Sequence, residues 1–289
     1  MALPSSGALS INDIAVEFGG SVPHSLSEYY GAAAGIPTSG AISIDDFYGA
    51  SAAVLDLRGT TQNVSNRNNI YASMGASIPV NLTGQSIQTG DLVFICIASR
   101  ALINSIFTWS GMTLNNGFGT GTSYSSPGRA IAYGTWASGN SNPYISVAPN
   151  KGGSDITQQT AIFFDAGGII QSSISDQQSS SSSSTIPASD LSSYSGGATP
   201  AGVITILLAD TESAIGTSAV GITAPSGYTM AASDVYITQG SKAARGSFLA
   251  IAYKVSTSTS SETVGNWTVG SDLSSGTNFY STATFRVGA

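Results

Sequence analysis

The sequence has little charge, because only 9% of its 289 residues are Asp, Glu, Lys or Arg, against roughly 25% in ordinary soluble domains. Glycine (34 residues), serine and threonine take their place. Long solvated helices need many Glu and Lys side chains, so the composition disfavours a helical protein and favours turns and half-buried strands. The 12 Tyr, 10 Phe and 3 Trp residues suffice for a packed core, so low charge does not indicate disorder here.

Basic residues are especially few, since 9 Lys and Arg stand against 16 Asp and Glu and give a net charge of −7. A protein that holds phosphates needs several Lys or Arg side chains on one face. The basic residues of this chain form neither a stripe nor a cluster: Arg58, Arg67, Arg100, Arg129, Lys151, Lys242, Arg245, Lys254 and Arg286. We therefore expect no nucleic-acid partner.

The chain has one cysteine, Cys96, and one histidine, His24. A single cysteine excludes an intrachain disulfide and a cysteine-based metal site. Because Cys96 lies within the apolar run 92–98, we predict a buried packing thiol. A serine nucleophile needs a histidine to activate it, and the single histidine, His24, lies in the N-terminal segment that is expected to anchor the chain. We expect no metal and no cofactor.

Long apolar runs are absent as well. The longest are about seven residues, whereas a membrane-spanning helix needs roughly 20, so we expect no membrane insertion. The start, residues 1–7, has neither a basic region nor an apolar region of the kind that marks a secretory signal. These features predict a protein made in a cytoplasm that reaches an exterior surface, if it does, as part of an assembly.

A motif repeats within the first fifty residues. LPSSGALSINDI at 3–14 recurs as IPTSGAISIDDF at 36–47, with seven of the twelve positions identical, and a partial copy, SLSEYYGA, lies at 25–32. Each copy has a serine followed three residues later by an acid, which is the spacing of a helix capping box. The pairs are Ser10 with Asp13, Ser25 with Glu28, and Ser43 with Asp46. Since glycines follow as helix stops, we predict three short helices joined by turns.

Such short helices are marginal without packing partners, and fifty residues are few for a strong core. We therefore expect residues 1–51 to form a module that docks on another surface. The alternative is a plain N-terminal cap on the domain that follows. The residues expected to form the docking interface are the apolar ones of the three helices: Ile11, Ile14, Phe18, Leu26, Tyr29, Tyr30, Ile44, Phe47 and Tyr48.

Residues 3–51 resemble the N-terminal segment of many tail and tail-fibre proteins of tailed bacteriophages. Two features carry the resemblance: the string Ser-Gly-Ala-(Ile/Leu)-Ser-Ile-x-Asp, present twice, and the ending Asp-Phe-Tyr-Gly at 46–49. The resemblance implies a virion structural protein, synthesised in the host cytoplasm and carried on the tail or head exterior. It also implies that this segment attaches the chain to other virion proteins of the same phage.

Residues 52–289 read as a β domain, because their apolar runs are short and bounded by Gly, Asn, Ser and Pro. No window shows sustained helical periodicity. The candidate strands are 53–57, 91–98, 129–136, 143–148, 160–165, 202–209, 234–238, 247–255, 263–269 and 280–287.

The order of signals in this β domain occurs twice. A Ser-Gly turn begins at Ser110 and an Ala-Tyr pair ends at Tyr133, and the same order returns at Ser226 and Tyr253. We predict a mainly β fold, a jelly-roll-like or immunoglobulin-like β-sandwich with an internal pseudo-duplication, preceded by the small module of short helices and turns. The expected half-repeats are about 85–170 and 198–289, joined by a loosely ordered Ser-rich connection, 171–201.

No residue stands out as catalytic. A polysaccharide-degrading enzyme needs two carboxylates facing each other across a cleft, and the acids of this chain lie mostly in predicted turns, so we expect no enzyme. Aromatic side chains in loops can stack on sugar rings, and Trp109 and Tyr124 are the candidate glycan contacts. Core packing is the alternative for every tryptophan of the chain.

Three functions remain open at this point. The leading one is a tail-associated appendage, a tail fibre or tail surface protein that contributes to host attachment, with a host surface glycan as its candidate ligand. The second is a head decoration or capsid-stabilising protein, and the third is an enzyme that degrades surface polysaccharide. The charge depletion, together with the symmetry of phage particles, leads us to expect a homo-oligomer.

Overall fold

The computed structural model describes residues 3–20, 22–30, 32–33, 36–37, 39–50, 55–63, 76–79, 82, 85–99, 103–107, 113–118, 128–137, 139, 144–147, 157–179, 184–211, 221–238, 245–270 and 278–288. The N-terminal part holds the α-helix α1 (Ile11–Phe18) and two 3₁₀ helices, η1 (Leu26–Tyr29) and η2 (Ile44–Phe47). The rest is built from antiparallel strands. A mainly β fold behind a small helical module, as the sequence predicts, is confirmed.

The first eight strands form two antiparallel sheets. They are β1 (Asp56–Asn63), β2 (Ala76–Pro79), β3 (Leu92–Ser99), β4 (Ile103–Phe107), β5 (Thr113–Phe118), β6 (Gly128–Thr135), β7 (Tyr144–Val147) and β8 (Thr157–Asp165). The larger sheet has the order β1-β8-β3-β6-β5, and the smaller sheet has the order β2-β7-β4.

The next eight strands repeat this arrangement. They are β9 (Gly168–Ser179), β10 (Thr185–Pro187), β11 (Pro200–Thr211), β12 (Ile222–Thr223), β13 (Thr229–Thr238), β14 (Arg245–Val255), β15 (Asn266–Val269) and β16 (Asn278–Gly288). Their large sheet reads β9-β16-β11-β14-β13 and their small sheet β10-β15-β12. Every strand therefore takes the place of the strand eight positions before it. In both halves the first and last strands are neighbours, which is a jelly-roll arrangement.

The duplication is longer than the sequence indicates. The first half begins with β1 and the second with β9, so the predicted half-repeats 85–170 and 198–289 both start too late. For the described residues of 171–201, the predicted loose connection is wrong as well, because β9 pairs with β16 and β10 pairs with β15. Since β9 is an edge strand with half-exposed, Ser- and Gln-rich positions, it lacks the apolar pattern that identifies a buried strand.

The two large sheets pack face to face and share one core. Alternate side chains of each strand point into this shared layer, where the ring of Phe94 lies 5.2 Å from that of Phe285. Two reciprocal contacts link the halves: Tyr133 of β6 lies 5.2 Å from Phe285 of β16, and Phe164 of β8 lies 5.6 Å from Tyr253 of β14. The halves thus cover each other's apolar faces, as two-layer packing requires.

The opposite face of each large sheet is also buried. In the second half, Trp267 of β15 is fully buried against Leu207 and Phe248 of the large sheet. In the first half, Val93 and Phe163 point away from the shared layer and are likewise buried. The layers of the β domain therefore run small sheet, large sheet, large sheet, small sheet.

The chain enters the β domain at Leu55, which is buried in the shared core. Its side chain lies against Gly202 of β11, where an added Cβ would run into Leu55 and come within 2.6 Å of the Lys254 carbonyl oxygen. Only glycine fits such a close approach within a strand. The segment that follows the N-terminal module is therefore held by the second half of the β domain.

Candidate functional site

Residues 3–50 enclose a small core of their own. Ile14, Tyr29 and Phe47 occupy the same position in the three copies of the motif, and they are 0%, 3% and 0% exposed. Leu3 and Ile36, which also correspond to each other in the repeat, are buried in the same cluster. Each copy thus supplies equivalent side chains to one core, and the three short helices predicted from the repeat are confirmed.

Aromatic rings form the centre of this core. Phe18, Tyr29 and Phe47 contribute one ring from each helix, with centroids 6.3, 6.1 and 6.0 Å apart. The pairs are tilted or edge-to-face, a geometry worth about 0.5 to 1.5 kcal/mol per pair beyond the area buried. The module therefore has a specific packing arrangement.

Two of the three predicted capping boxes are confirmed. At the start of α1, the Asp13 amide donates to Ser10 Oγ at 3.2 Å and the Ser10 amide donates to Asp13 Oδ2 at 2.8 Å. The second box begins η2, where the Ser43 amide donates to Asp46 Oδ2 at 2.7 Å. Hydrogen bonds from the Ser10 side chain and backbone hold the pKa of Asp13 below its usual value.

The predicted capping box at Ser25 is wrong. Ser25 Oγ lies 2.7 Å from Ser27 Oγ and makes no cap hydrogen bond. Glu28 instead places Oε2 3.6 Å from His24 Nδ1, and the same ring nitrogen lies 3.3 Å from the Tyr29 hydroxyl. His24 stands immediately before the cap position, and the Glu28 carboxylate faces its ring.

The ends of the module are tied to each other. The Leu3 amide donates to the Ala50 carbonyl at 2.8 Å, and the Tyr48 hydroxyl donates to the Gly7 carbonyl at 2.5 Å. These bonds hold the two ends of the module together, so the chain enters and leaves the module at the same place.

The residues predicted to form the docking interface line this internal core. Ile14, Tyr29 and Phe47 are buried, so for them the interface role is wrong: a side chain without exposed surface cannot meet a partner. The other six are half-buried: Ile11, Phe18, Leu26, Tyr30, Ile44 and Tyr48. For these six the docking role stays a prediction. The three buried residues stand at equivalent apolar positions of the repeat, and such positions indicate a shared core.

Two apolar side chains of the module, outside the predicted docking set, are exposed. Val16 is 80% exposed and Val22 is 83% exposed. Helix periodicity predicts the exposure of Val16, since Val16 stands two residues after Ile14 and thus about 200° around α1 from the buried face.

The candidate glycan contacts, Trp109 and Tyr124, lie outside the described residues and stay predictions. Of the other tryptophans, Trp267 is fully buried, which confirms core packing for it. Trp136 is half-buried, and its amide donates to the Asp91 carbonyl at 2.8 Å. Cys96 is also fully buried, as predicted, and burial raises the pKa of its thiol, so it stays in the unreactive neutral form.

An ionic network joins β1, β8 and the residue before β3 at one end of the first half. Arg58 Nε lies 2.8 Å from Asp91 Oδ1, and Arg58 Nη2 lies 2.6 Å from Asp165 Oδ2. Asp91 is 1% exposed, and it also accepts from the Gln88 amide at 2.8 Å. Asp91 is thus fully committed to structural partners.

Arg286 of the second half is bound differently from Arg58. Arg286 is 1% exposed, and its Nη1 donates to Gln171 Oε1 at 2.5 Å and to the Ser192 carbonyl at 3.3 Å. Among the residues that the structure describes, its Nε has no partner. Within that part of the chain neutral oxygens bind its guanidinium, whereas Arg58 of the first half has direct ion pairs.

Glu262 binds two donors. Its Oε1 accepts from Lys254 Nζ at 2.6 Å and from the Tyr228 hydroxyl at 3.0 Å. Burial first, and then the Glu262 charge, raise the pKa of Tyr228, which stays a neutral hydrogen-bond donor. Because both neighbours hold the carboxylate in place, the arrangement fixes the chain between β14 and β15.

Among the residues that the structure describes, no three or more His, Cys, Asp or Glu side chains are grouped so that they could hold a metal ion. No helix in the described part of the chain is long and apolar enough to cross a membrane. Comparison with known protein families, with curated proteins and with solved structures found no match for the chain.

Proposed function

We propose that this chain is a structural protein of a tailed-phage particle, a tail-associated appendage that residues 1–51 attach to the virion. The main support is the N-terminal motif: the residues that resemble phage tail proteins fold into one closed module. This module has its own core, its own helix caps and adjacent ends. A unit of this kind can attach a larger domain without contributing to that domain's core.

The duplicated β domain is the part that projects from the particle and contributes to host attachment. Its two halves bury their apolar faces against each other, and polar hydroxyl and amide side chains dominate the remaining composition. Trp109 and Tyr124 are the proposed contacts for a host glycan. That the chain is not an enzyme, and that it forms a homo-oligomer, remain predictions.

Removal of the module tests the attachment role. A phage whose gene lacks codons 1–51 should make a soluble β domain that is absent from purified particles. Phe47→Asp in the full chain provides a second route, because a charge in the module core should unfold the module and leave the β domain intact. If either variant is incorporated as well as the unaltered chain, the attachment site lies elsewhere.

Imaging of particles that carry a labelled chain distinguishes the tail from the head. Density on the tail supports the appendage, whereas density on the head would favour a decoration protein. The same images test the homo-oligomer prediction, because isolated copies without neighbour contacts would contradict it.

A further inference from the structure

Two valines of the N-terminal module are the most exposed large apolar side chains in the described part of the chain. Val16 and Val22 are 80% and 83% exposed, whereas Ile14 of the same helix is fully buried. Val16 lies on the side of α1 turned away from the core, and Val22 lies between α1 and η1. Neither belongs to the module's core cluster. Apolar area of this kind is stabilised when a partner covers it.

The module also carries charge of one sign. Residues 1–51 contain five acids and neither Lys nor Arg, and all nine Lys and Arg residues stand at Arg58 or later. Asp13 precedes Val16 by three residues and Glu17 follows it directly, so acids flank the exposed side chain. An apolar contact flanked by carboxylates fits a partner surface that has an apolar centre and a basic rim.

We propose that Val16 and Val22 form the surface by which the module docks, and that its occupant is a basic patch with an apolar centre on a neighbouring protein of the particle. This rests on the proposed attachment role of residues 1–51. Charge distinguishes the candidate occupants, because the acidic module would repel the phosphates of nucleic acid and anionic lipid headgroups. A second copy of the same acidic module would be repelled too.

The test adds purified full-length chain to particles from a phage that lacks this gene and measures the bound amount against concentration. Val16→Asp and Val22→Asp should each weaken binding roughly tenfold, because both remove an apolar contact. Val16→Lys should weaken it by roughly a further tenfold, because it adds a like charge beside a basic rim. Val255 of β14, 60% exposed, gives the matched controls: Val255→Asp and Val255→Lys should bind like the unaltered chain.

Several outcomes would overturn the docking proposal. If the Val16 and Val22 variants bind normally while Phe47→Asp does not, the module attaches through another face and the attachment role survives. If Phe47→Asp also binds normally, the attachment role itself fails. Equal binding of Val16→Lys and Val16→Asp would contradict a basic occupant. Binding to anionic vesicles, or a dimer of the free chain that Val16→Lys dissociates, would assign a different occupant.

Folding of α1 is checked on the same samples by amide hydrogen exchange. Should a charged variant lose protection in α1, Val16→Thr replaces it, because threonine keeps the shape of valine and removes apolar surface. A loss of binding by Val16→Thr with α1 intact supports the proposal, and normal binding contradicts it.

Discussion

Both regions of the molecule are built by repetition, but their copies are held together differently. In the N-terminal module, three copies place equivalent side chains in a small cluster, and bonds between residues three apart, such as Ser10 and Asp13, fix the starts of α1 and η2. In the β domain, two copies meet over whole sheets through pairs such as Phe94 and Phe285, which are far apart in the sequence. The module depends on local hydrogen bonds, and the β domain depends on long-range packing.

In both regions the copies keep their buried apolar positions, and they differ in their polar contacts. The middle copy of the module lacks the cap at Ser25, yet its Tyr29 stays buried at the shared position. The halves of the β domain keep their strand order and apolar inner faces, while Arg58 of the first half and Arg286 of the second have unlike partners. A repeat can therefore retain its fold after its polar contacts change, because buried apolar area supplies most of the stabilisation.

The largest expected effect is at the contact between the two halves. Phe285→Ala removes a ring that touches Phe94 and Tyr133 at 5.2 Å each. It should lower the free energy of unfolding by about 3 to 5 kcal/mol, through lost burial and the cavity left behind. Denaturant unfolding measures this loss. As a control, Val255→Ala on the exposed side of β14 should change the free energy of unfolding by no more than about 0.5 kcal/mol.

The same experiment shows whether the halves are one cooperative unit. With a shared core, Phe285→Ala should shift a single β-domain transition to lower denaturant. Two β-domain transitions, only one of which shifts, would mean that each half unfolds alone and that the packing between them is not what stabilises both.

A smaller effect distinguishes Arg58 from Arg286. Arg58→Met leaves the buried Asp91 without its cation, and we expect a loss of about 2 to 3 kcal/mol, discounted because Arg58 is 27% exposed. Arg286→Met loses hydrogen bonds to neutral oxygens, and it also removes a desolvated charge. We expect it to cost about 1 kcal/mol or less. Thermal unfolding of both variants measures the difference, and an equal or reversed order would contradict the distinction between the halves.

How much could be predicted from the sequence depended on whether a signal was local. The strand predicted at 91–98 is observed at Leu92–Ser99, because a buried central strand is apolar throughout. Edge strand β9 was missed, since it is rich in Ser and Gln and lacks a run of buried apolar residues. The role of the module's apolar residues could not be decided either, because protein cores and protein interfaces are both apolar. For Ile14 and Phe47 the structure decides between the two roles, because both side chains are buried in the core of the module.

The smallest effects test the module's local hydrogen bonds, where the copies themselves provide the control. Ser10→Ala and Ser43→Ala each remove a cap that is present, at a cost of about 1 kcal/mol of helix stability. Ser25→Ala removes no cap, so it should cost a few tenths of a kcal/mol at most. Hydrogen exchange in the full chain measures each helix separately. Amides of α1 and η2 should exchange about fivefold faster in their own variants.

A second measurement on Ser10→Ala tests the origin of the effect. The Ser10 hydrogen bonds lower the pKa of Asp13 in the folded chain. A carboxyl with a lowered folded pKa stabilises the helix above its unfolded pKa, and the stabilisation is lost as the pH falls through the folded value. In Ser10→Ala the side-chain bond is gone, so the pKa of Asp13 should rise, as followed by NMR. An unchanged Asp13 titration, or a loss from Ser25→Ala equal to that from Ser10→Ala, would mean that these caps do not stabilise the helices that they begin.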